Sequence, residues 1–142
     1  MKSKFFLLIN VFFPLFFALF IYTFLGSGTY INDFFDNFYF VRELRDKISF
    51  QNNIIALILR YYICDFLWAY SFTFCVSFFL EFKKKLQFII MLIFCSIFCL
   101  TWELAQLSGV VPGTFDFLDI VAEIFAVSAA TLLIYKTWRK NL

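Results

Sequence analysis

Residues 86–107 read LQFIIMLIFCSIFCLTWELAQL, an apolar run whose single charge is Glu103. A helix rises about 1.5 Å per residue and a bilayer core is about 30 Å thick, so about 20 apolar residues cross it. Three further stretches satisfy the same condition. Residues 5–25 carry no charge and contain Pro14, residues 61–80 carry only Asp65, and residues 117–135 carry Asp119 and Glu123. Lipid offers no partner to an open backbone group, so each stretch must be helical. The expected architecture is all-α: a polytopic membrane protein with four transmembrane helices, residues 1–142 forming one integral membrane domain.

Whole-chain composition agrees. The 142 residues are 63% hydrophobic and 15% charged, with a mean hydropathy of +0.87. A soluble domain is about 45–50% apolar and about 25% charged. Soluble globular and disordered classes are therefore excluded. The net charge of +2 gives no footprint for nucleic acid. The chain has no histidine, the commonest general base and the commonest transition-metal ligand. Cys64, Cys75, Cys95 and Cys99 all lie in apolar runs with no zinc spacing, and read as small packing residues rather than a disulfide framework. The 25 phenylalanines carry no functional weight.

Loop charges orient the helices. The start Met1-Lys2-Ser3-Lys4 resembles that of a secretory signal, but the apolar run after it exceeds the ~7–15 residues of a signal core and shows no small-x-small cleavage site. The first span is expected to remain as a helix, with Pro14 a point where it can kink. Lys2, Lys4, Lys83, Lys84, Lys85, Lys136, Arg139 and Lys140 then fall on one side, and Arg42, Arg45, Lys47 and Arg60 on the other. The positive-inside bias assigns the first side, with both termini, to the cytoplasm. Tyr135 and Trp138 suit an interfacial belt there.

The first outer loop, 26–60, opens on the turn-forming Gly26-Ser27-Gly28-Thr29. Ile31, Phe34, Phe35, Phe38, Val41 and Leu44 then recur near helical spacing, with Asp33, Asp36, Arg42, Glu43, Arg45 and Asp46 between them. This pattern predicts an amphipathic helix, either on the outer membrane surface or packed over the bundle as a lid. Residues 54–59 are apolar, too short to span, and lead into the second span.

The acidic residues of the spans gather at one end. Asp65 begins the second span, Glu103 and Gln106 close the third, and Asp116, Asp119 and Glu123 open the fourth. Glu103 and Gln106 are i,i+3, so they share a face, and Asp116, Asp119 and Glu123 also fall on one face. Ala126 and Ala130 continue it, small enough for close helix approach. The short connection 108–114 makes these two helices antiparallel neighbours, so the polar side chains converge near the outer surface. Charges this close to hydrocarbon are functional candidates by default. Such carboxyls must bind a cation, share protons or pair with Arg42, Arg45 or Arg60. The competing reading makes Asp116 and Asp119 helix caps and has Glu103 bond loop amides; it leaves Glu123, a turn further in, unexplained. Asp65, Trp68 and Phe72 share a helix face, either as an interfacial anchor with a capping carboxylate or as part of the site.

The strings Trp102-Glu103-Leu104-Ala105-Gln106 and Gly113-Thr114-Phe115-Asp116-Phe117-Leu118-Asp119 resemble the VanZ-like membrane family, whose pattern is Glu-x-x-Gln, a short loop, then Asp-x-x-Asp opening the last helix. Asp65-Phe66-Leu67-Trp68-Ala69-Tyr70 is similar to a string in one branch of that family. The resemblance covers about residues 60–135. It departs at Thr114, where many members have Arg, at Glu123, where many have Asn, and at Ala126 or Val127, where glycine is frequent. The resemblance implies a bacterial plasma membrane, a role at the outer face of the envelope and, for some members, an association with resistance to the glycopeptide teicoplanin. It names no biochemical activity.

Three functions follow as expectations. The leading one is a non-enzymatic protein whose outward carboxylates bind a cation, or through it an envelope lipid or glycopeptide headgroup. Glu103, Gln106, Asp116 and Asp119 would carry this, with Asp65, Trp68 and Glu123 in support. Oxygen ligands of this kind suit Ca²⁺ or Mg²⁺, with Glu103, Asp116 and Asp119 the candidate metal ligands. The second is a small proton- or cation-coupled transporter, against which stands the lack of ionisable residues in the inner half of any span. The third is a metal-dependent enzyme acting on lipid, for which the sequence offers no nucleophile motif.

Overall fold

The structure, a computed structural model, describes residues 2–25, 34–35, 37–47, 54, 58–80, 82–111 and 115–140. Helix α1 spans Lys2–Leu25, α2 Tyr39–Lys47, α3 Cys64–Phe79, α4 Lys85–Leu107 and α5 Phe117–Lys140. One turn of π-helix, Leu59–Ile63, runs directly into α3. No strand occurs among the described residues. Four of the helices are long and apolar enough to cross a membrane, and they form an all-α bundle.

Helix α3 is the hub, packing against α1, α4 and α5, whereas α1 packs principally on α3. The seams are made of small or slender residues. Ala69, Ala126, Ala130, Cys95 and Cys99 are fully buried, with Phe74 and Met91 filling the space between them. Lipid is as apolar as leucine, so burial alone drives no association here. Close packing across small residues does. A second, smaller cluster joins Ala18 and Ile21 of α1 to Cys64 of α3. The cysteines are free thiols, three of them buried, which agrees with packing roles.

Phenylalanines and isoleucines face outward over the spans, Phe12, Phe13, Phe16, Ile89, Ile93 and Phe125 among them. In water this surface would aggregate; in hydrocarbon it is solvated. Helix α1 continues through Pro14, which is buried. Inside the apolar α1, Asn10 Nδ2 donates to the Phe6 carbonyl at 2.8 Å, and Tyr70 Oη of α3 donates to Asn10 Oδ1 at 2.7 Å. This pair satisfies two polar groups that would otherwise be stranded in lipid.

The first loop carries the expected amphipathic helix over Tyr39–Lys47. The regular helix begins at Tyr39, after a helical pair at Phe34–Phe35 and a bend over Asn37 and Phe38. The expected positions Ile31, Asp33 and Asp36, and the turn at 26–29, lie outside the described residues. Helix α2 rests on α1: Phe35 and Val41 line one pocket with Phe16, Leu19, Phe20, Thr23 and Phe24. Its chief support is thus the flank of α1 rather than the ends of α4 and α5.

At the end rich in lysine, α4 starts when the Gln87 side chain accepts hydrogen bonds from the backbone N–H groups of Lys83 and Lys84. Tyr135 and Trp138 are half-buried there. They meet Phe88 edge-on and tilted, at 5.3 and 5.1 Å between ring centroids, while Phe82 stacks on Phe88 at 4.1 Å. The indole N–H of Trp138 donates to the Phe82 carbonyl at 2.9 Å. The expected interfacial belt is thus also a seam between the α3–α4 loop, α4 and α5.

Candidate functional site at the carboxylate end

The opposite end is built by two helix termini with different devices. Helix α4 ends at Leu107, and Gly109 takes φ +72°, the left-handed conformation that glycine adopts at little cost. The N–H of Gly109 bonds the Gln106 carbonyl and that of Val110 the Ala105 carbonyl, both at 3.0 Å. These are the two bonds of a Schellman motif. They turn the chain back so that α5 runs antiparallel beside α4, as the short connection predicts.

Helix α5 begins with Asp116 as its N-cap. Asp116 Oδ1 accepts from the Leu118 N–H at 3.0 Å, the bond expected from an N-cap to the second helical residue. Asp116 Oδ2 accepts from Tyr62 Oη at 3.4 Å. Both oxygens of Asp116 are therefore engaged. Glu103, near the end of α4, lies close enough to Asp116 for their charges to act on each other. The capping alternative is thus realised at Asp116.

The rest of the cluster is not explained by capping. Glu103, Asp119 and Glu123 are 2%, 9% and 1% exposed, and each keeps one oxygen without a hydrogen-bond partner among the described residues: Glu103 Oε2, Asp119 Oδ1 and Glu123 Oε2. Their charges act on one another, and Asp65, half-buried on α3, feels both Glu103 and Asp119. The spacing predicts this meeting for Glu103, Asp119 and Glu123, and the structure adds Asp65 from α3, with Gln106 half-buried one turn further along α4. Glu123 lies six residues beyond the first residue of α5, about 9 Å along the axis at the helical rise. Two other buried atoms lack partners, Ser71 Oγ and Thr131 Oγ1, but these are neutral hydroxyls with no charge to neutralise.

A buried, uncompensated carboxylate costs several kcal/mol, of order, so a proton or a cation has to answer it. The described residues include no group of three or more His, Cys, Asp or Glu side chains placed to hold a metal ion. Of the expected metal ligands, Asp116 accepts one hydrogen bond on each oxygen, from the cap and from Tyr62. The side chain of Arg60, one of the expected pairing partners, lies outside what is described, as does Thr114.

Trp68 stands on the aromatic side of this end rather than among the carboxyls. Its ring stacks on Phe72 at 5.7 Å and on Phe98 at 6.2 Å, and lies 6.0 Å from Trp102. It thereby fixes α3 against α4 next to Asp65 and Glu103. Tyr62 is the site residue that the sequence reading missed. Its signal was present, because Tyr62 and Asp65 are i,i+3 and share a helix face. Comparison with protein-family models, curated proteins and solved structures finds no match for this chain.

Proposed function

We propose that this chain is a VanZ-like, non-enzymatic integral membrane protein of a bacterial plasma membrane, with both termini cytoplasmic and its carboxylate end facing outward. That end binds a cation, or the cationic part of an envelope lipid or glycopeptide headgroup, which links the protein to the glycopeptide response of the family it resembles. The lysine-rich loop and C-terminus opposite the carboxylates support the orientation through the positive-inside bias. The observation that carries the reading is the trio of buried carboxylate oxygens on α4 and α5 without partners among the described residues. A fold that needed these positions only for packing would have no reason to keep three carboxyls there.

Thermal unfolding of the purified protein tests this. A ligand that binds only the folded state raises the midpoint by mass action. Titration with Ca²⁺, Mg²⁺ and ethanolamine is expected to give a saturable rise for at least one of them, lost in Glu103→Gln and in Asp119→Asn. If none raises the midpoint while both variants unfold as well-formed helical proteins, the cluster is structural and the reading fails.

A further inference from the structure

Pro14 sits inside α1 and has no N–H, so the helix supplies no donor to the backbone carbonyl of Asn10, one turn earlier. The Asn10 side chain is engaged elsewhere: its amide N–H goes to the Phe6 carbonyl, and its Oδ1 takes the Tyr70 hydroxyl. The Tyr70 proton is spent on that bond. A helical carbonyl points along the axis toward the residue four further on, here from Asn10 toward Pro14. Both residues line a cavity of about 260 Å³ between α1 and α3, together with Phe13, Phe17, Phe66 and Tyr70. Tyr70 is the middle residue of the span Tyr61–Phe79, so the cavity lies at mid-depth. Phe13 and Phe17 are exposed on the flank of the bundle, so the cavity opens sideways into lipid. Hydrocarbon brings no water to that depth, and an acyl chain has no hydrogen to donate.

We infer that this cavity takes a lipid-soluble phenol, its ring seated among the aromatic side chains and its hydroxyl donating to the Asn10 backbone carbonyl. Size, walls and polarity all favour such a guest. An apolar cavity of about 150 Å³ binds benzene, so about 260 Å³ holds a ring with a short substituent. Phe66 and Tyr70 stack at 6.2 Å between centroids, a wall against which a further ring packs offset or edge-on. The hydroxyl supplies the donor that Pro14 withholds. In hydrocarbon this bond replaces an unmet acceptor rather than a bond to water, which makes it worth more than its aqueous equivalent.

The test compares 4-butylphenol with 4-butylanisole, which carries a methyl group in place of the phenolic hydrogen. Binding of each radiolabelled probe to the protein in phosphatidylcholine nanodiscs is measured against empty nanodiscs, which subtracts partitioning into lipid. The phenol is expected to bind saturably and about tenfold more tightly than the anisole, the effect of one hydrogen bond made in place of an unmet acceptor. Pro14→Ala separates hydrogen bonding from volume. It restores the N–H that the Asn10 carbonyl lacks while trimming the wall, so the cavity grows but its acceptor is taken. The preference for the phenol is expected to fall to parity. Ile9→Trp fills the cavity from its exposed rim and leaves the carbonyl unchanged, and is expected to abolish saturable binding of both probes. Equal affinity of the parent for phenol and anisole overturns the assignment, because the cavity would then take any apolar guest. A preference that survives Pro14→Ala, or binding that survives Ile9→Trp, overturns it by placing the hydroxyl elsewhere. A parent that is dimeric in detergent and becomes monomeric on Ile9→Trp also overturns it, and gives the cavity to a second copy of the chain. Should Pro14→Ala fail to fold, the parent comparison and Ile9→Trp still decide.

Discussion

The two ends of the bundle are finished in opposite ways. At the lysine end every polar device described closes on the protein itself: Gln87 accepts two backbone N–H groups, Trp138 donates to Phe82, and four aromatic rings pack the seam. At the carboxylate end the backbone is equally well terminated, by Asp116 and the turn at Gly109, yet three buried acidic side chains each keep an oxygen without a partner among the described residues. Both ends belong to the same helices and are a few turns apart. Backbone termination and side-chain satisfaction are therefore separate problems, and only one end leaves the second unsolved. Proteins place such costs where they have a use.

The largest effect that sharpens the contrast is expected at the lysine end. Truncation of a buried aromatic costs about 3–5 kcal/mol, and half-buried Trp138 should lie near the bottom of that range. Trp138→Ala is therefore expected to lower the unfolding free energy in detergent by about 3 kcal/mol, while cation binding at the far end is retained. Loss of that binding would show that the two ends are not independent.

The next effect has the opposite sign. Glu123→Leu replaces a buried carboxylate that has an unmet acceptor with an apolar side chain of similar size. Burying an unpaired polar group costs about 1–3 kcal/mol, so the variant is expected to be more stable than the parent by a comparable amount when no cation is present. Its advantage should vanish at saturating ligand. Destabilisation of the ligand-free protein would mean that Glu123 is already satisfied, and the contrast between the ends would collapse.

The smallest effect lies between them. Tyr70→Phe removes the hydrogen bond to Asn10 that joins α3 to α1 at mid-depth. Interhelical hydrogen bonds in membranes average about 0.6 kcal/mol, so a loss of that order is expected in a reversible unfolding titration. A loss several times larger would make this bond, rather than either end, the principal polar tie of the bundle.

The spans were legible because hydrocarbon allows so few solutions: the lengths of the runs at 5–25, 61–80, 86–107 and 117–135 forced helices, and four helices stand there. The meeting of Glu103 with Asp119 and Glu123 was legible too, since i,i+3 and i,i+4 steps and a short loop leave little freedom. What the sequence concealed depends on contacts between distant positions. Tyr62 and Asp116 lie 54 residues apart, Tyr70 and Asn10 60 apart, and Trp138 and Phe82 56 apart. Periodicity within one helix says which face a residue occupies, not which neighbour it finds. The split between Asp116 and Asp119 was hidden for the same reason. Both read as first-turn acids, and only the packing of α4 against α5 decides that one caps the helix and the other is buried. In the first loop, spacing alone does not register the bend at Asn37 and Phe38 that precedes the helix at Tyr39.

The bond between Tyr70 and Asn10 also sets a schedule for biogenesis. Asn10 enters the bilayer in α1, ahead of α3, its amide N–H already held by Phe6 but its carbonyl oxygen waiting. The partner hydroxyl is synthesised 60 residues later, a delay of about 3–12 s at a ribosome's ~5–20 residues per second. Through that interval the leading helix carries an exposed acceptor in lipid, and the arrival of the next long helix relieves it. Insertion of this pair is thereby given a direction: α3 has a reason to dock on α1 before α4 and α5 arrive.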